Sequence, residues 1–172
     1  LSKHVAVHMK EAGGGVIIDG GIHYVDELVT LGGFPTRVYA ATPPPLLPEA
    51  EGEDGMILTA HLPGGALGLI HVSNATSSGE RLVRTTVTGT TGRISFDPFG
   101  QEVVLETAEE KRVLDLPRGG RGVREMVQEF MACLREDREP AMSGEDGLRD
   151  LEIVLAAYRS ANEGAEVALT SP

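Results

Sequence analysis

The stretch GGGVIIDGGIHYVDELVTLGG, Gly13 to Gly33, decides how this chain begins to fold. Ile18, Ile22, Val25 and Val29 recur in it at helical spacing, and Gly32–Gly33 followed by Pro35 supplies a stop, so a helix is expected from Gly15 to about Leu31. Asp19 and His23 lie four residues apart, the interval that stacks two side chains on one helical face. A carboxylate beside an imidazole supports acid/base chemistry, and such a pair is also common on helix surfaces without any catalytic role. The glycines weigh towards a site. Three precede the helix and Gly20–Gly21 lie inside its first turns, a costly choice that is usually kept where backbone or ligand must approach closely. Asp26, three residues beyond His23, is placed either to orient the ring or to act as a capping or solvent-facing acid.

Beyond this helix the texture changes. RVYAA (Arg37 to Ala41) is a short β-type run, and ATPPPLLPEAEGEDG reads as a surface loop. MILTAHLPGGALGLIHVS folds as a hairpin around Pro63–Gly65, with Met56, Leu58, Ala60 and Leu62 on one face of its first strand. RLVRTTVTGTTGRISF is a second hairpin, turning at Gly89–Gly92, and EVVLETAEEKRVLDLP a third, turning near Ala108–Glu110. Helix then returns. Val123, Met126, Val127, Phe130 and Leu134 form an apolar stripe with Cys133 at its buried edge, and Ser143 with Asp146 caps a helix on which Leu148, Leu151, Leu155 and Tyr158 share a face before Gly164 ends it. A last β-type run, EVALT, closes the chain. The expected class is α+β: one open, mainly antiparallel sheet with helices packed on one face, in a single domain over residues 1–172 whose N-terminal edge reads as cut from something longer.

Composition excludes several classes. The net charge of −11 opposes a phosphate backbone, and the basic cluster Arg118–Arg124 has no interleaved aromatics on which bases would stack, so it reads as a solvated loop and no nucleic-acid partner is expected. No apolar run reaches membrane-spanning length, and none has the form of a signal peptide, so no membrane partner is expected. With Cys133 alone, no intrachain disulfide forms, which suits a reducing, cytoplasmic setting. His4 and His8 lack further ligands at a metal-like offset, and His61 and His71 fall out of register across their hairpin, so no metal site is expected. No G-x-G-x-x-G or P-loop opens a helix, so no cofactor-binding residues are assigned within the chain.

GGGVIIDGGIHYVDELVTLGG, EDGMILTAHLPGGALGLIHVS, TVTGTTGRISF and EPAMSGEDGLRDLEIVLAAYRSANEGAEVAL resemble, in that order, successive blocks of the C-terminal domain of the Gfo/Idh/MocA family of NAD(P)-dependent oxidoreductases. The likeness covers nearly the whole chain, and SGEDGLRDLEIVLAAYRSA is its most specific piece. It implies a substrate-binding and oligomerising α/β domain, with NAD or NADP bound mainly by a Rossmann domain that these residues lack. The family's catalytic Asp and His, four residues apart, fall on Asp19 and His23; its E-K-P lysine has no counterpart here. The implied reaction is hydride transfer on a sugar, polyol or related hydroxy compound, with His23 as base and Asp19 on the substrate hydroxyls or the imidazolium. The chain alone is then expected to be inactive and to associate with itself through its sheet face. The alternative is a non-catalytic binding, regulatory or oligomerisation module with the same fold.

Overall fold

The computed structural model describes residues 13–47, 51–75, 83–98, 100, 102–115 and 122–170. The His4/His8 pair and Arg118 and Arg121 of the basic cluster lie outside them. The architecture is α+β, with open antiparallel sheets, as expected from the hairpins. The strands divide into two four-stranded sheets where one was expected, because only the first hairpin joins the early strand. The chain correspondingly forms two compact units, one from residues 1–77 with 142–172 and one from residues 78–141.

In the first unit a widened helical turn, Ile17–Gly21, runs directly into helix α1, Ile22–Gly32. Its i→i+5 bonds take up one residue more than an α-turn. Ile17, not Ile18, is therefore the fully buried isoleucine, above buried Gly21 and Val25. Gly33, at φ 83°, ends α1 and donates its N–H to Val29 O at 2.8 Å. Strands β1 (Arg37–Ala41), β2 (Gly55–His61) and β3 (Leu67–Ser73) follow, and β8 (Val167–Ala168) completes a sheet of order β3-β2-β1-β8. Val38, Ala40, Met56, Leu58, Ala60, Ile70 and Val72 alternate onto its inner face, as period-two patterning requires. Helix α3, Gly144–Glu163, packs on that face beside α1.

Two helical stripes behave differently from expectation. On α3 the core side is Ile153, Val154, Ala156, Ala157 and Ser160, whereas Leu148 and Leu155 are more than half exposed. Of these, Ala156, Ala157 and Ser160 are small and let the helix backbone approach β1 closely, where Ser160 Oγ reaches the Ala40 N–H. In the second unit, α2 (Val123–Glu136) carries Val123, Met126, Val127, Phe130 and Leu134 exposed, with Cys133 buried. Periodicity identifies an amphipathic helix correctly but does not supply the surface that covers it.

The second unit is otherwise a meander of β4 (Thr85–Thr88), β5 (Gly92–Phe96), β6 (Glu102–Thr107) and β7 (Lys111–Asp115). Its hairpins close where the sequence places them: Gly89 N–H donates to Gly92 O, and Thr107 N–H to Glu110 O, each at 2.8 Å. Arg93 and Lys111, the cross-strand neighbours of Glu106, both bond its carboxylate and hold it down at about 2.

Candidate functional site

The site is built from the start of the helical segment. A helix leaves its first backbone N–H groups without partners, and here a single side chain collects them. Glu53, two residues before β2, accepts from Gly15 N–H through Oε2 at 3.0 Å and from Ile17 N–H through Oε1 at 3.1 Å, while its own carbonyl accepts from Val16 N–H at 3.0 Å. Tyr158 of α3 closes the cluster. Its hydroxyl donates to Glu53 Oε1 at 2.9 Å and accepts from Gly15 N–H at 2.9 Å. Burial, then the adjacent Glu53 charge, push the Tyr158 hydroxyl upward, so it remains a protonated donor. Gly14 and Gly15 are glycines for a steric reason: a Cβ on Gly14 would collide with the Tyr158 hydroxyl, and one on Gly15 with the Glu53 backbone oxygen.

One turn on, Asp19 N–H donates to Gly15 O at 3.1 Å, tying the anchored residue directly to the first candidate. Asp19 lies in the widened turn and His23 in the first turn of α1; both side chains are exposed. Such turns occur frequently at functional sites. Between the two lies Gly20, where a Cβ would meet nothing within 4 Å. No protein neighbour requires that glycine, and its position leaves room for a bound molecule to approach the backbone.

Beneath His23 the helix pair holds three acids. Asp26 is half-buried; burial raises its carboxyl, the His23 charge opposes that rise, and Asp146 adds to it. Asp150, on the buried side of α3, is pushed up to about 6 by burial and then by Asp26 and Asp146. Asp26 thus belongs to the electrostatic surroundings of His23 and is not a freely solvated acid. Asp146 serves the capping box: Ser143 Oγ accepts from Asp146 N–H at 3.2 Å and Asp146 Oδ2 accepts from Ser143 N–H at 2.8 Å.

The remaining histidines do not join this site. Ile57 lies opposite His71 and Leu67 opposite His61, so the two rings are not paired. His61 instead bonds Arg37 through Nδ1 at 3.1 Å and Glu166 through Nε2 at 3.2 Å. Among the described residues no three His, Cys, Asp or Glu side chains are grouped to hold a metal ion, and no helix is long and apolar enough to cross a membrane. Glu53 and Asp150 escaped sequence reading because both sit in acidic stretches that look solvated, and Tyr158 because its spacing suits a core stripe. The tight Gly14–Gly15 pair was the one signal that something approaches there.

Residues 7–169 match the family model for the C-terminal alpha/beta domain of an oxidoreductase family. Among solved structures, the aldose-aldose oxidoreductase of Caulobacter crescentus complexed with glycerol is 26% identical, with a TM-score of 0.86, over 97% of this chain and 51% of its own. The WlbA dehydrogenase of Bordetella pertussis, in complex with NADH and UDP-GlcNAcA, is 28% identical, with a TM-score of 0.71, over 92% of this chain and 46% of its own. An oxidoreductase of Agrobacterium radiobacter, in complex with NAD+, L-tartaric acid and magnesium, shares the fold at 24% identity and a TM-score of 0.79, over 90% of this chain and 49% of its own. The chain therefore spans about half the length of these structures. No curated protein sequence matches it significantly. The order of its blocks, its fold and the extent of the match agree: the chain belongs to the Gfo/Idh/MocA oxidoreductase family, as its C-terminal α/β domain.

Proposed function

We propose that this domain is the substrate-facing half of a cytoplasmic NAD(P)-dependent oxidoreductase acting on a sugar, polyol or related hydroxy compound, with Asp19 and His23 as its catalytic pair. The observation that carries the reading is the exposed Asp19/His23 pair, flanking an unobstructed Gly20 on a helical segment whose start is pinned by Glu53 and Tyr158. The glycerol complex of the 26%-identical relative and the NADH and UDP-GlcNAcA complex of the 28%-identical one support the substrate class and the cofactor.

A nicotinamide, when bound, supplies the two-electron acceptor for hydride. The described residues offer it the open approach at Gly20 but no helix that begins on a phosphate-binding glycine loop, so its pyrophosphate is assigned to a domain outside these 172 residues. In oxidation of a secondary alcohol the carbon gives up its hydrogen with the bonding pair, the C–O bond becomes a carbonyl, and the hydroxyl proton passes to an imidazole nitrogen of His23. Asp19 accepts hydrogen bonds from substrate hydroxyls and favours the imidazolium as it forms. Asp26 lies within electrostatic reach of His23.

The outer face of the first sheet carries the second part of the proposal, a homodimer contact. Tyr39, Ile57, Leu67 and Leu69 stand exposed there, Leu67 and Leu69 by 72% and 67%, an apolar surface of the kind that isologous interfaces bury.

The test is replacement of His23 by Ala in the full-length protein, assayed with NAD and NADP against a panel of aldoses and polyols. Loss of a positioned base lowers kcat by about 100-fold and leaves cofactor affinity nearly unchanged. Asp19→Asn raises KM as well as lowering kcat, because substrate hydroxyls lose their acceptor. Wild-type turnover in His23→Ala ends the catalytic assignment in favour of a binding or oligomerisation module.

A further inference from the structure

We infer that Glu53 and Tyr158 are positioning residues for the Asp19/His23 pair, acting through the backbone of Gly15; this rests on the catalytic reading of that pair. Neither reaches the exposed side chains, yet both grip the same short piece of backbone. Glu53 takes the N–H groups of Gly15 and Ile17 on its two carboxylate oxygens, and the Tyr158 hydroxyl bonds both Glu53 and Gly15. Gly15 O in turn receives the N–H of Asp19 at 3.1 Å. An unbroken path of hydrogen bonds thus runs from α3 through Gly15 to Asp19.

The need for such a grip follows from the local sequence. GGGVIIDGG places five glycines within nine residues, and glycine is the weakest helix former apart from proline, so this segment has little intrinsic preference for its conformation. The widened turn that it adopts persists only where surrounding contacts over-determine it. Ile17 pins one side of that turn in the core, and Glu53 with Tyr158 pins its start. Glu53 comes from the strand-leading loop and Tyr158 from the most buried helix, so the catalytic segment is referenced to two rigid parts of the first unit. Charge contributes as well: a carboxylate at a helix start is favoured by the helix dipole and by charge-assisted bonds to its N–H groups.

The test is a double-substitution cycle in the full-length protein, measured with the best substrate of the aldose and polyol panel. Tyr158→Phe keeps the ring and its packing but removes the hydroxyl; Glu53→Gln keeps the shape and removes the charge. Each is made in the native protein and in His23→Ala, with thermal midpoint and cofactor Kd measured alongside. Misplacement of the pair lowers kcat about tenfold in the native background, leaves cofactor Kd unchanged, and has less than about twofold effect once His23 is gone, since a displaced ring matters only while the ring is there. A merely structural role lowers activity by the same factor in both backgrounds. That equal factor, or no effect of Tyr158→Phe and Glu53→Gln on native kcat, overturns the positioning role while leaving the catalytic pair intact. Wild-type turnover in the His23→Ala parent overturns the catalytic reading, and the positioning role with it.

Discussion

Ser160 is where the first sheet is most exposed to a single deletion of atoms. Strand β8 pairs with β1 only at Arg37 and Val38, so the ladder on that side runs out before Ala40. The fully buried Ser160 replaces the missing strand: its Oγ accepts the Ala40 N–H at 2.9 Å and donates to Ala165 O at 2.6 Å, just past the end of α3. Ser160→Ala leaves the Ala40 N–H, on a residue 1% exposed, without an acceptor. An orphaned buried donor costs about 1–3 kcal/mol, whereas the Ala165 carbonyl sits on an exposed residue and regains water, adding well under ~1 kcal/mol. The expected loss is about 2–3 kcal/mol, or a fall in thermal midpoint of roughly 5–10 °C for a chain of this size. Calorimetry and guanidinium titration of the native and Ser160→Ala proteins measure it. A variant within about 0.5 kcal/mol of native would show that the side chain does not stand in for the strand.

Asp150 gives the opposite sign. Its carboxyl titrates at about 6 in the folded chain against an ordinary value of 3.8, so between those values folding holds a proton that the unfolded chain releases, and its contribution to stability falls as pH rises through that window. Asp150→Asn should add about 1–2 kcal/mol of stability at pH 8 after solvent screening, seen as a higher thermal midpoint, and bring no gain at pH 4; equal shifts at both pH values would refute it. On the sheet's outer face, Leu69→Lys should halve the mass seen by light scattering at ~100 μM if that face joins two copies, and an unchanged mass would remove it from the interface. Ser143→Ala, which dismantles the capping box of α3, should cost about 1 kcal/mol in the same unfolding titrations.

Much of this was legible in the chain. The helix stop at Gly32–Gly33, the three hairpin turns and the Ser143 cap are short-range devices, written in residues that are adjacent or nearly so. The four-residue spacing of Asp19 and His23 on one helical segment, from which their catalytic role is proposed, was legible for the same reason. What the sequence hid depends on distant partners. Which residues of α3 face inward is decided by how that helix packs on β1 and α1, and the division into two sheets by which strand edges meet. Glu53 and Gly15 are 38 residues apart, and Tyr158 is 143 residues from Gly15. No periodicity links such positions, and only the crowding implied by consecutive glycines hinted at them.

The widened turn can also be understood as a vernier. Were Ile17–Gly21 to relax into a regular ladder, everything upstream would rotate by about 100°, the arc of one residue, against everything downstream. Ile17 would leave the core and Gly15 would turn away from Glu53, while Val25 kept its place. The two ends of this helix are thus clamped one residue out of phase, and the slack between them is taken up at Asp19, Gly20 and Gly21. A chain one residue shorter there would satisfy both clamps with an unbroken ladder. The surplus residue is therefore dispensable to both clamps, and it falls on the turn that carries Asp19.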